Sequence, residues 1–207
     1  TPEEQATHDA ARARYLNYLR KSGLRLSEPG GWARFLASSY RSPEGREALD
    51  GWRTQRGLAL FSAGKVEALW QILQEHRDDR VLVFADDTQT VYRLARTFLL
   101  PALTHHTPLA ERRALLAGFA DGRLPVLLTS RVLNEGVDVP EARIGVVLSG
   151  SGTVREHVQR LGRVLRMRPG KRAVLYEVLT RGTAEAGMSE RRRQHGAYAG
   201  RDGAPTP

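Results

Sequence analysis

RVLVFADDTQTVYRLARTFLLPALTHHTPLAERRALLAGFADGRLPVLLTS, residues 80 to 130, decides the fold. It opens on a short, apolar, β-branched run, RVLVFAD, of strand length. TVYRLARTFL restores helical spacing, and ALTHH reads as a brief strand. PLAERRALLAGFADG enters through Pro108 and stops at Gly122, the start and stop signals of a helix, and LPVLLTS is a strand again. Downstream, RIGVVLSG (143–150) and RAVLYEVLT (172–180) supply two more strands. Upstream, KVEALWQILQEHR (65–77) supplies an amphipathic helix. Short apolar strands alternating with helices of roughly 10 to 15 residues predict an α/β fold, a parallel sheet covered by helices on both faces.

Ahead of this lies a different pattern. Thr1, Pro2 and Glu4 form a capping-box start with proline at the first helical position, and Gly23 closes the helix that follows. PGGWARFLASSY and SPEGREALDGWRTQRGLALFS read as two further helices, each entered through proline or serine. A helix beginning at residue 1 suggests a boundary cut into a longer protein. The expected division is a helical region at 1–60, an α/β domain at 61–182 and a basic tail at 183–207.

The 207 residues carry 32 Lys and Arg against 23 Asp and Glu, a net charge of +9, which favours a polyanionic partner and nucleic acid above all. An arginine-rich composition shifting every surface is the bland alternative. A hydrophobic content of 41% suffices for a real core. The absence of cysteine excludes disulfides and cysteine-based zinc sites and fits a reducing cytoplasm, the expected location. No apolar run approaches the roughly 18 residues of a membrane span.

In open α/β sheets the ligand edge is formed by the carboxyl ends of the strands. After LPVLLTS the segment RVLNEGVDVPEAR, held by Gly136 and Pro140, would present Ser130, Glu135, Gly136 and Asp138 together. Hydroxyl and N–H groups there suit phosphate oxygens, and a carboxylate such as Asp138 suits a ribose hydroxyl. An ordinary glycine turn fits the same residues. REHVQRLGRVLRM (155–167) reads as a helix with Val158, Leu161 and Leu165 on one side. Gln159, Arg163 and Arg166 fall within about 60° of one another on the other. Two guanidinium forks one turn apart can clamp an anion or form a solvated basic face. Gly162 costs the helix roughly 1 kcal/mol against alanine, which invites a close approach by backbone or ligand. His105 and His106, adjacent in a strand, would face opposite ways, which argues against a shared metal. Arg112, in the helix after Pro108, lies where a nucleic-acid backbone could be touched; an exposed helix charge is the rival reading.

Absences matter equally. SAGKV (62–66) contains the Gly64–Lys65 pair of a phosphate loop, but the full pattern needs glycine and a hydroxyl where this chain has Ala59 and Val66. SGSG at 149–152 is a lone G-x-G, and no D-E-x-H motif follows a strand. The chain has arginines fit for phosphate and no cradle for a nucleotide.

VLLTSRVLNEGVDVPEA followed by QRLGRVLR resembles motifs V and VI of superfamily-2 helicases, and VLVFADDTQTVYRLA resembles motif IV. The longer stretch from LSGSGTVREHVQRLGRVLR to YEVLTRGTAE is similar to the XPB branch, nearest its archaeal and bacterial members. The resemblance runs from about 64 to 195, and the helical start is similar to that family's thumb. It implies a RecA-like second lobe of a two-lobed, ATP-driven DNA helicase moving 3′ to 5′, with a role in DNA repair. ATP with magnesium would be held mainly by a first lobe that carries the phosphate loop, so this chain alone should be inactive.

By motif, Arg163 and Arg166 would be arginine fingers and Gln159 would orient the γ-phosphate or attacking water. Glu135, Gly136 and Asp138 would meet the nucleotide. Ser130, Thr129, Arg112 and Thr107 would hold the DNA backbone. Implied partners are DNA as single strand or fork, the first lobe, and a nuclease or repair protein. DEAD-box proteins usually place arginine where Glu135 stands, which argues against that branch. A stand-alone nucleic-acid-binding module, or the C-terminal lobe of another superfamily-2 motor, is the alternative.

Overall fold

In a computed structural model, the structure describes residues 1–130, 142–148 and 173–183. The chain divides into two units, Thr1–Ala63 and Gly64–Pro207.

The first unit holds three helices, α1 (Pro2–Ser22), α2 (Gly31–Ser39) and α3 (Pro43–Leu60). Thr1 caps α1 through a complete capping box with Glu4, and Gly23 ends it in the left-handed conformation at φ 66°. Glu4 also accepts from the Ala63 N–H at 2.9 Å, and this bond is the main reason its carboxyl is held below the usual range. Ser42 caps α3 by accepting from the Gly45 N–H. Phe35 is the centre of the unit: fully buried, it meets Tyr15 edge-on at 5.6 Å and Trp32 at 5.4 Å.

α1 and α3 approach so closely that a Cβ on Gly51 would sit 2.6 Å from the Ala11 carbonyl oxygen. Gly57, on the same helix, has open space around it. Two opposite outcomes are therefore expected from one kind of substitution. Gly51→Ala should lower stability by about 1–3 kcal/mol through overpacking. Gly57→Ala should raise it by up to about 1 kcal/mol, the ordinary helix gain. Urea unfolding of the two variants checks both signs.

The second unit is built from α4 (Ala63–Glu75), β1 (Val81–Phe84), α5 (Thr88–Phe98), β2 (Ala102–Leu103), α6 (Leu109–Ala120), β3 (Val126–Thr129), β4 (Ile144–Val147) and β5 (Val174–Glu177). The five strands form one parallel sheet in the order β2-β3-β1-β4-β5. β1 and β4 are buried along their whole length, as near-continuous apolar runs in a covered parallel sheet should be.

The path from β1 to β2 steps over β3, and the path from β2 to β3 turns back. Right-handed crossovers in opposite directions place α5 and α6 on opposite faces. The core agrees. Leu82, Phe84, Leu103 and Leu127 point to the face where Leu115, Leu116 and Phe119 of α6 pack. Val81 and Val83 alternate to the other face and are just as deeply buried.

At the amino edge of the sheet, His76 Nε2 lies 2.8 Å from the Tyr176 hydroxyl, while Asp79 takes Arg143 at 2.7 Å and His76 Nδ1 at 3.2 Å. Burial, with the nearby charge of Glu75, raises the Tyr176 phenol above its ordinary range. This cluster ties α4, β4 and β5 together at the end away from the ligand edge.

Candidate nucleic-acid interface

The register aligns Leu103, Thr129, Phe84, Val147 and Glu177 as the last residues of adjacent strands. One residue further on, the carboxyl edge is Thr104, Ser130, Ala85, Leu148 and Val178. The ladder continues into it, with Ala85 N–H donating to Thr129 at 3.0 Å and Leu148 N–H to Phe84 at 2.9 Å.

At the β2 corner, a turn from Thr104 to Thr107 is closed by the Thr107 N–H on the Thr104 carbonyl at 3.1 Å. The Thr104 N–H donates back to Thr107 Oγ1 at 2.9 Å. The buried Thr104 hydroxyl lies 2.9 Å from the Tyr92 hydroxyl and accepts from the His106 N–H at 3.2 Å. Thr107 Oγ1 uses a lone pair on Thr104, and its own O–H is still a donor; among the described residues nothing accepts it.

Arg112 lies one turn into α6 and leans over this corner. One Nη donates to the Thr104 carbonyl at a long 3.5 Å, while Nε is buried without a hydrogen-bond partner. A buried donor left unpaired costs about 1–3 kcal/mol, more for a charged group. The rival expectation of an exposed helix charge therefore does not describe Arg112, which is half-buried.

Two sequence expectations need correction. Thr129 is fully buried, on the sheet face that α6 covers, and its hydroxyl donates to the Ser130 carbonyl at 3.1 Å. It thus braces the strand end and cannot offer that hydroxyl to a DNA backbone. Ser130 is itself only 4% exposed. His105 and His106 do not alternate across a strand, because β2 ends at Leu103; in the turn their rings meet at a tilt of 41°, 3.8 Å between centroids. His105 Nδ1 lies 3.4 Å from the Thr88 hydroxyl at the start of α5.

Glu135, Gly136, Asp138, Gln159, Arg163 and Arg166 lie outside the described residues. Thr104 and Tyr92, which organise the corner, were not singled out from sequence, since a threonine ending a strand and a tyrosine in a helix carry no distinctive pattern. Among the described residues no group of three or more His, Cys, Asp or Glu gathers to hold a metal ion.

A five-stranded parallel sheet in the order β2-β3-β1-β4-β5, covered by helices, with a polar carboxyl edge, has the architecture of a RecA-like lobe. Residues 64–168 match the helicase conserved C-terminal domain, and the chain belongs to that family. XPB proteins are among its sequence relatives. It is 40% identical to the DNA 3′-5′ translocase XPB2 of Sulfurisphaera tokodaii over 94% of this chain and 44% of that protein. It is 33% identical to the DNA 3′-5′ helicase XPB of Mycobacterium tuberculosis over 66% of this chain and 25% of that one. The chain thus spans less than half the length of these relatives. The C-terminal domain of the DEAD-box protein Dbp5 superposes with a TM-score of 0.55 at 19% identity, covering 69% of this chain and 82% of that domain, a likeness of fold.

Proposed function

We propose that this chain is the second lobe, with a helical arm, of an ATP-driven DNA helicase or translocase of the XPB type, working 3′ to 5′ in DNA repair. The observation that carries the DNA-gripping part is the half-buried Arg112, its guanidinium leaning on the Thr104 carbonyl, at the same corner of the ligand edge as the Thr107 hydroxyl. A phosphate oxygen is a partner that such donors suit, and it accepts charge-assisted bonds. Backbone contacts read strand geometry more than sequence, as a translocase requires.

Arg163 and Arg166 would donate to the terminal phosphate of ATP bound on a first lobe, with Gln159 orienting the attacking water. Asp138 would accept from the ribose, beside Glu135, and Gly136 would let the backbone come close. These cationic donors would draw the lobes together while the phosphate is attached and release them after hydrolysis. Thr107 and Arg112, holding the strand differently in the two states, would turn that cycle into stepping. The partners would be DNA, the first lobe and a nuclease or repair protein.

Arg112→Ala in the full-length protein should weaken DNA binding about tenfold and reduce the salt slope of log K by about one, the signature of one lost phosphate contact. Binding titrations across a salt series measure both. An unchanged affinity and slope would remove Arg112 from the interface.

A further inference from the structure

The Gly64–Lys65 pair that imitates a phosphate loop has a different position in the fold. Lys65 lies in the first turn of α4 and is 4% exposed, unusual for a lysine. Its Nζ donates to the main-chain carbonyl of Leu148 at 2.6 Å, across 83 residues of sequence.

Leu148 is the residue at which the chain leaves β4 on the ligand edge. Its N–H is fixed by Phe84, its side chain is 1% exposed, and its carbonyl is taken by the ammonium. The β4–β5 ladder reaches this edge with the Val178 N–H on the Val147 carbonyl. The next carbonyl, that of Leu148, is held by a side chain from another element. An ammonium is removed from water at a cost that only hydrogen bonds or opposite charge offset. Burying one here favours a single geometry for the chain's exit from the sheet.

We infer that Lys65 is a positioning residue for catalysis: it fixes the exit of β4 from which the chain runs on to Gln159, Arg163 and Arg166. The inference rests on the proposed role of those arginines. It adds a residue that touches neither nucleotide nor DNA and acts through the Leu148 carbonyl. Hydrolysis is sensitive to such placement, since a misplacement of about 1 Å can cost about 10²-fold in rate.

The test is a double-mutant cycle in the full-length protein, reading kcat and KM for ATP, nucleotide affinity and the urea midpoint. Lys65→Met keeps the apolar stem and removes the donor. It should lower kcat by about 10²-fold with KM and nucleotide affinity near wild type, and cost little more when added to Arg163→Ala, because both act on one interaction. Unchanged kcat in folded Lys65→Met, or the same factor lost again in the Arg163→Ala background, overturns the proposal. Should Lys65→Met not fold, Lys65→Gln, whose shorter side chain withdraws the donor, is judged by the same two readings. Full turnover in Arg163→Ala alone sinks the arginine assignment instead. Lost turnover there beside intact Lys65→Met sinks only the lysine.

Discussion

Arg163→Ala in the full-length protein is expected to reduce DNA-stimulated ATP turnover by about 10³- to 10⁵-fold, the range an arginine finger supplies, while nucleotide affinity changes little. That factor corresponds to about 4–7 kcal/mol of transition-state stabilisation. The asymmetry between rate and affinity follows from where charge develops. Bound ATP keeps its contacts with the first lobe, whereas a guanidinium reaching across from the second meets charge that builds up only as the phosphoryl group transfers. Arg163→Lys should recover only part of the loss, since an ammonium keeps the charge without the planar fork. Steady-state hydrolysis at saturating DNA, paired with titration of a fluorescent nucleotide, separates the two quantities. Turnover that survives in Arg163→Ala would take this residue out of its role.

The parts of the fold that were legible in the sequence are those with strong local signals. Four strands read as apolar runs, as strands of a covered parallel sheet do, and β2 as a brief strand within ALTHH; α1, α2, α3 and α6 are announced by a proline, a cap or a glycine stop, and α4 and α5 by helical spacing. The strand order was not legible, since the path over β3 depends on packing that no local pattern encodes. The site divides in the same way. Arg112 stood out as a cation after a proline start, yet its leaning onto Thr104 depends on a turn that ends β2 after two residues. The same short strand overturned the alternation assumed for His105 and His106. Thr129 has the residue type of a backbone contact, but its place on the α6-covered face turns its hydroxyl inward. Lys65 is the reverse case. Its motif argued only against a phosphate loop, and its partner lies 83 residues away.

This chain by itself is expected to hydrolyse ATP no faster than a buffer blank, with or without DNA. Phosphate loops work by surrounding the β- and γ-phosphates with backbone N–H groups and a lysine, and by giving a hydroxyl to the metal. Here the first glycine and the hydroxyl are replaced by Ala59 and Val66. The lysine that completes the imitation points its Nζ at the Leu148 carbonyl and is buried. Arginine donors without that seat have no bound phosphoryl group to act on, so the whole rate enhancement is lost and not a fraction of it. The edge proposed to grip a polyanion should nevertheless persist, because Thr104 and Thr107 sit in the turn after β2 and Arg112 on α6, all within this lobe. The purified chain should therefore bind DNA in a salt-dependent manner while remaining inert toward ATP. The measurement is a coupled phosphate-release assay beside a DNA titration on one preparation. DNA-stimulated turnover that copurifies with the chain through successive columns, and is abolished by Arg163→Ala in the same chain, would mean that it carries a nucleotide seat of its own.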